Sequence, residues 1–224
     1  MIRPLIIVAL AATLALSLVH SSAIREGHAD VPVAATADQV QPLQPGDPAP
    51  RFIVETVDSE PFDFDPGKLE KPVMLLAFRG GWCPYCNMHL SELRHVIPEI
   101  HDLGVDVLFL SGDRSELLYE SLEGQAQEDI AGLDYTILSD ADAQAAIALG
   151  IAFRAGDRTV EYVKNKGDGY PASSMERHGV LPVPAVFAIG KDGVIAYSYV
   201  NADYKVRLPA NDLLSAARMI AAAD

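Results

Sequence analysis

A chain of 224 residues, half of them apolar, can bury one good core, and with only two cysteines that core must hold by packing, which excludes a small disulfide-framed scaffold. Its 31 acidic and 17 basic side chains leave a net charge of −14 without a Lys/Arg-rich run, which argues against nucleic acid as a partner.

Met1-Ile2-Arg3 is a short positive start, Pro4 to Val19 an uncharged and mostly apolar run, and Ser21-Ser22-Ala23 a set of small residues where a signal peptidase would cut. Residues 1–23 therefore read as a secretory signal or, if uncleaved, as a membrane anchor, although the run is shorter than the ~20 residues that a spanning helix usually needs. Both readings export the rest of the chain to an oxidising place, the periplasm or the exterior, and leave this segment as the only contact with a membrane. Residues 24–45 lack a sustained period, and "QPLQPGDPAP" carries four prolines, so they read as an extended tether to a single domain spanning 46–224.

That domain opens with a hairpin, "RFIVETVDSEPFDF", turning at Asp58-Ser59-Glu60. "PVMLLAFR" is a continuous apolar run of strand length, as expected of a strand buried on both faces. From Pro84 the period changes: Cys86, Leu90, Leu93, Ile97 and Ile100 form one stripe of a helix that Pro98 is expected to kink without ending. "VDVLFL" is a second buried strand, followed by a helix capped by Ser115 and running to about Asp129, the short strand "YTIL", and the helix "DADAQAAIALG" closed by Gly150. Between Ile151 and Leu181 the pattern lapses into a polar, Gly-rich insertion, which is expected near a functional edge. "PAVFAIG" and "VIAYSYV" make a hairpin about Lys191-Asp192-Gly193, and a last helix starts near Asn211. The order predicts an α/β fold, a mixed sheet with helices on both faces.

Both cysteines fall between the first buried strand and its helix, in "GGWCPYC". Cys86 lies on the apolar stripe, whereas Cys83 sits at the helix start beside free backbone N–H groups that favour an anion. This places the lowered pKa and the attack on Cys83, leaving Cys86 to resolve a mixed disulfide one turn away. Pro84 suits the first turn, where a missing N–H costs nothing. A zinc clip is disfavoured, because a second Cys pair is absent and His89 and His95 lie on the helix that already carries the thiols. A static staple is disfavoured too, because so small a ring constrains the unfolded chain weakly. No metal and no other cofactor is expected.

"GWCPYC" after a buried strand resembles the active site of the thioredoxin superfamily, and Cys-Pro-Tyr-Cys is the glutaredoxin form. From about Gln44 the chain is more specifically similar to the peroxiredoxin-like branch of the alkyl hydroperoxide reductase/thiol-specific antioxidant family: "PGDPAPRFIVETVDSEPFDF", "GVDVLFLSGD" and "LPVPAVFAIGKDGVIAYSYVNADY" resemble its opening, its second strand and its closing hairpin. The resemblance implies a thioredoxin-like fold and a dithiol that cycles through Cys83 and Cys86. The family's Pro-x-x-x-Thr/Ser-x-x-Cys puts its peroxidatic cysteine on Cys86, but here Arg79 stands for its Pro and Cys83 for its Thr/Ser. The family arginine before the last hairpin falls on Pro184, where thioredoxins keep a cis-proline, which implies a cis Val183-Pro184 bond. The buried acid of thioredoxins falls on Ala77.

Trp82 and Tyr85 are supporting residues beside the dithiol. Arg79 reads as a solvent-facing side chain or as a source of positive potential for Cys83, and His178 as a surface residue. Two activities stay open, reduction of hydroperoxides and exchange with a protein disulfide, with a thioredoxin-like protein or glutathione as the thiol donor. A third reading, a tethered binding module whose cysteines no longer turn over, leaves unexplained why both thiols stand in a chain otherwise free of cysteine.

Overall fold

The computed structural model describes residues 32–165 and 173–223, so the expected signal at 1–23 and the start of the tether lie outside the described residues. No described helix is long and apolar enough to cross a membrane. Seven strands form the main sheet in the order β2-β1-β5-β4-β3-β8-β9. They are β1 (Phe52–Glu55), β2 (Pro61–Phe64), β3 (Val73–Phe78), β4 (Asp106–Ser111), β5 (Thr136–Ser139), β8 (Ala185–Ile189) and β9 (Ile195–Val200). The strands β3, β4 and β5 run parallel, and β8 and β9 are antiparallel to them on the other side of β3. β3 is therefore central, and every one of its residues is buried.

Because side chains alternate across a strand, β3 feeds two cores. Met74, Leu76 and Phe78 join the cluster that buries Leu90, Leu93, Ile97 and Ile100, which come from α1 (Pro84–Leu93) and α2 (Ile97–Asp102), together with Leu213 and Ile220 of the C-terminal helix α7 (Ala210–Ala221). Val73, Leu75 and Ala77 join the opposite cluster with Ala145 and Ala146 of α4 (Gln144–Ala148). Leu93, Ile97 and Ile100 have no exposed surface, and each contributes ~1.5–3 kcal/mol by leaving water. This stripe presses α1 on the sheet and fixes where its N-terminus can lie.

Two helices differ from expectation. The stripe through Ile100 is carried by two helices instead of one kinked helix, because Pro98 occupies the first turn of α2, where its missing N–H is tolerated. Ser115 opens a single 3-10 turn, Ser115–Leu117, and its hydroxyl bonds Glu55 at 2.7 Å instead of capping, so the helix there, α3, is only Gly124–Ile130.

Residues 32–50 are extended but are not a free tether. Ala34 N–H bonds Ala152 O at 3.0 Å, Gly46 N–H bonds Ile195 O at 2.8 Å, and Val33, Val40 and Leu43 pack on the second core. The insertion is ordered where it is described: β6 (Ala152–Arg154) pairs with β7 (Val180–Pro182) in a two-stranded sheet, with α5 (Asp157–Lys164) and α6 (Ser174–His178) between them.

Candidate active site

The loop from β3 into α1 carries the chemistry, and it is held from three sides. Gly80 adopts φ +140, and a Cβ there would meet Asp113 Oδ1 at 2.4 Å; at Gly81 it would meet the Ser121 backbone at 2.3 Å. Only glycine allows this approach, so both positions are fixed by space. Asp113, at the end of β4, accepts the Gly81 N–H at 2.7 Å. Asn87, fully covered inside α1, donates to Gly81 O at 2.6 Å and to Cys83 O at 3.1 Å and accepts the Glu123 N–H at 3.0 Å, tying loop and helix to the start of α3.

Cys83 is the N-cap residue of α1, Pro84 the first helical residue, and Cys86 lies within the first turn. Both thiols are free, and each is only 1% exposed. Arg207, from the loop after β9, brings Nη2 to 3.2 Å from Cys86 Sγ and 4.0 Å from Cys83 Sγ. Arg79 is buried, with its guanidinium 5.0 Å from the ring centre of Trp82 and 4.5 Å from that of Tyr204. Neither guanidinium is paired with a carboxylate among the described residues, so the counter-charge within reach is a cysteine thiolate.

That environment decides which sulfur is ionised. Burial alone would push the Cys86 thiol up, but the hydrogen bond from Cys83, the Arg207 charge, the Arg79 backbone amide and the Arg79 charge outweigh it and hold Cys86 at about 6. Cys83 is pushed up by giving its hydrogen to Cys86, by burial and by the Cys86 charge, against Arg79 and the Cys86 N–H. The pair thus shares one proton, with the thiolate on Cys86, which reverses the division of labour expected from helix position. The first-turn N–H groups do favour an anion, yet Arg207 against Cys86 outweighs them.

The remaining expected residues separate. Trp82 is buried beside Arg79, and Tyr85 meets Tyr204 edge-on at 5.6 Å. Arg79 is not solvent-facing, because the two aromatic faces give the planar cation a dry seat. Pro184 is buried and lines a void of about 20 Å³ with Cys86, His89 and Arg207. No described peptide bond is cis, so Val183-Pro184 is trans: the chain passes extended from β7 to β8 while Val183 N–H bonds Ile151 O at 2.9 Å. His178 is engaged away from the thiols, bonding Ala141 O at 2.9 Å.

Sequence reasoning missed Arg207, Asp113, Asn87 and the role of His89. His89 Nε2 bonds Leu208 O at 3.0 Å, which clips the segment bearing Arg207 to α1. Burial, with the nearby Arg207 charge and against the Leu208 carbonyl, lowers His89 to about 4, so the ring is neutral and donates. Ala77 does lie in the core, yet a buried acid is present: Asp113, raised to about 7 chiefly by burial, against the Gly81 N–H. A lone carboxylate closing the apolar run "VDVLFLSGD" was the available signal.

A Cys-x-x-Cys pair that shares one proton at the helix start after the central strand of a thioredoxin-like sheet defines a thiol oxidoreductase. The chain belongs to the AhpC/TSA family, whose profile matches residues 45–198. It is 30% identical over 112 residues to peroxiredoxin Bcp of Escherichia coli K12, covering 50% of this chain and 67% of that one. It is 21% identical over 166 residues to the thiol-disulfide oxidoreductase ResA of Bacillus thuringiensis Al Hakam, covering 74% and 75%. The fold matches the crystal structure of a peroxiredoxin-like protein from Aquifex aeolicus with a TM-score of 0.59 and 18% identity over 80% of this chain and 89% of that one.

Proposed function

We propose that the protein reduces hydroperoxides, with Cys86 as the attacking thiolate and Cys83 as the resolving thiol. The contact of Arg207 Nη2 with Cys86 Sγ at 3.2 Å carries this reading, because it ionises the sulfur that stands in the peroxidatic register. The void of about 20 Å³ beside Cys86 has room for roughly one water-sized molecule, which suits a small peroxide. The thiolate attacks one peroxide oxygen, the O–O bond breaks, Cys86 becomes a sulfenic acid and the leaving oxygen takes a proton. Cys83 then attacks Cys86 Sγ, water leaves, and the resulting disulfide is reopened by two electrons and two protons from an external thiol donor. The name of the Escherichia coli relative supports this reading.

A second reading, protein disulfide exchange begun at Cys83, is favoured by the position of that residue on a groove of about 320 Å³ and by the name of the Bacillus relative. The trans peptide before Pro184 removes one earlier support for it. We also propose that residues 1–23 direct export, on the strength of their charge and apolar run alone.

Single cysteine variants separate the readings. Cys83→Ser, treated with peroxide, is expected to accumulate sulfenic acid on Cys86 that dimedone traps, while Cys86→Ser loses peroxide reactivity by at least about 100-fold. Fast sulfenylation of Cys83 in the Cys86→Ser protein would return the attack to Cys83 and sink the peroxidase assignment.

A further inference from the structure

Cys83 and Arg79 are the most buried members of the groove of about 320 Å³, and Tyr85, Tyr204 and, from α5, Arg158 and Thr159 complete its character. No Asp or Glu lines it, although the chain as a whole carries −14. Asp157 and Asp203 stand next in sequence to lining residues without lining it themselves. Its charged members are both arginines, and Lys205 Nζ adds a third cation 5.9 Å from the Tyr204 ring. The volume falls at the low end of the ~300–1,000 Å³ usual for small-molecule sites, so it suits a few residues of peptide and not a folded partner.

We propose that the groove docks a thiol of tripeptide size bearing carboxylates, of which glutathione is the probe, and that such a thiol is the electron donor of the dithiol cycle set out above. Arg158 and Thr159 meet the carboxylates and place the thiol against Cys83. The donor thiolate attacks Cys83 Sγ, the Cys83–Cys86 bond breaks, and its electron pair goes to Cys86, which leaves as the thiolate beside Arg207. A second donor thiolate attacks the donor sulfur of the mixed disulfide, releasing the donor disulfide and Cys83, which takes up a proton. In balance, one protein disulfide and two thiols give one dithiol and one small disulfide. The direction of attack follows from leaving-group quality, since Cys86 is the better anion.

The test uses full-length protein oxidised with diamide, followed by stopped-flow fluorescence of Trp82, the single tryptophan. Glutathione is compared with its diethyl ester at equal thiolate concentration. The expected result is saturable reduction by glutathione, about tenfold faster than by the ester in low salt, with the gap closing as salt is added. Arg158→Glu should lower the glutathione-to-ester ratio about tenfold, and Arg158→Lys should restore most of it. Equal rate constants for the two thiols, or a ratio untouched by Arg158→Glu, would overturn the proposal. Because diamide supplies the oxidised protein, the outcome is independent of whether peroxide oxidises Cys86. Failure of the groove and failure of the peroxidase reading are thus separately visible.

Discussion

Arg207 is the residue on which the reactivity of Cys86 turns. It reaches the sulfur across 121 positions of sequence, and the His89–Leu208 hydrogen bond holds the segment that carries it. At neutral pH a thiol held at about 6 is mostly thiolate, whereas an unassisted buried thiol is mostly protonated. The peroxide reaction should therefore rise through about pH 6 and level off above it. Arg207→Gln removes the charge but leaves the Cys83 hydrogen bond. Its midpoint should move up by about two units, with an approximately tenfold loss of rate at pH 7 that is recovered near pH 9. Arg207→Lys should fall between, since a point charge replaces a planar donor. The pH profile of pseudo-first-order oxidation decides it, and an unmoved midpoint would mean that Arg207 only fills space.

At the scale of elements, the site is one loop clamped between β3, β4, α1 and α3, and Asn87 is where the clamp closes. Asn87→Ala strips the partners from Gly81 O and Glu123 N–H in a buried place, which should cost about 2–4 kcal/mol and speed alkylation of the reduced thiols. Denaturant titration and thiol-labelling rates measure both, and wild-type values in both would remove Asn87 from the clamp. The sheet and the position of the dithiol were legible because they rest on local signals: the six-residue buried run of β3, the hairpins, and the helical stripe that starts at Cys86. The break before α2 was not, because a proline in a first turn and a proline in a kink look alike in sequence. Arg79 and Arg207 were illegible as site residues, since an arginine in a loop normally faces water, and their burial depends on aromatic rings and sulfurs that only the tertiary fold brings beside them.

For the whole molecule, the arrangement couples redox state to stability. In a chain carrying −14, two guanidinium groups face the dithiol without a carboxylate partner, so the Cys86 thiolate is their counter-charge and oxidation removes it. The folded pKa of Cys86 lies below that of an unfolded thiol. Its contribution is therefore complete above the unfolded value near 9, and is lost as pH falls through about 6. Cys83 is shifted the other way and stays protonated in both the folded and unfolded protein below pH 8, so it adds no slope in this window. Between pH 6 and 8 the reduced form should gain on the order of 3 kcal/mol relative to the oxidised form, at about 1.4 kcal/mol per unit. The disulfide opposes this with a pH-independent gain of about 2 kcal/mol, small because it closes a ring of only a few residues. The oxidised protein should thus be the more stable at pH 5, and the reduced protein should overtake it by pH 8. A total swing of about 5–10 °C in the difference of melting temperatures is expected for a chain of this length. Paired calorimetric scans of the dithiol and disulfide forms at pH 5, 6.5 and 8 test it, with Arg207→Gln as the control whose swing should shrink. A constant difference across that range would mean that Cys86 is protonated in the resting protein, and that the cations beside it are balanced by something other than sulfur.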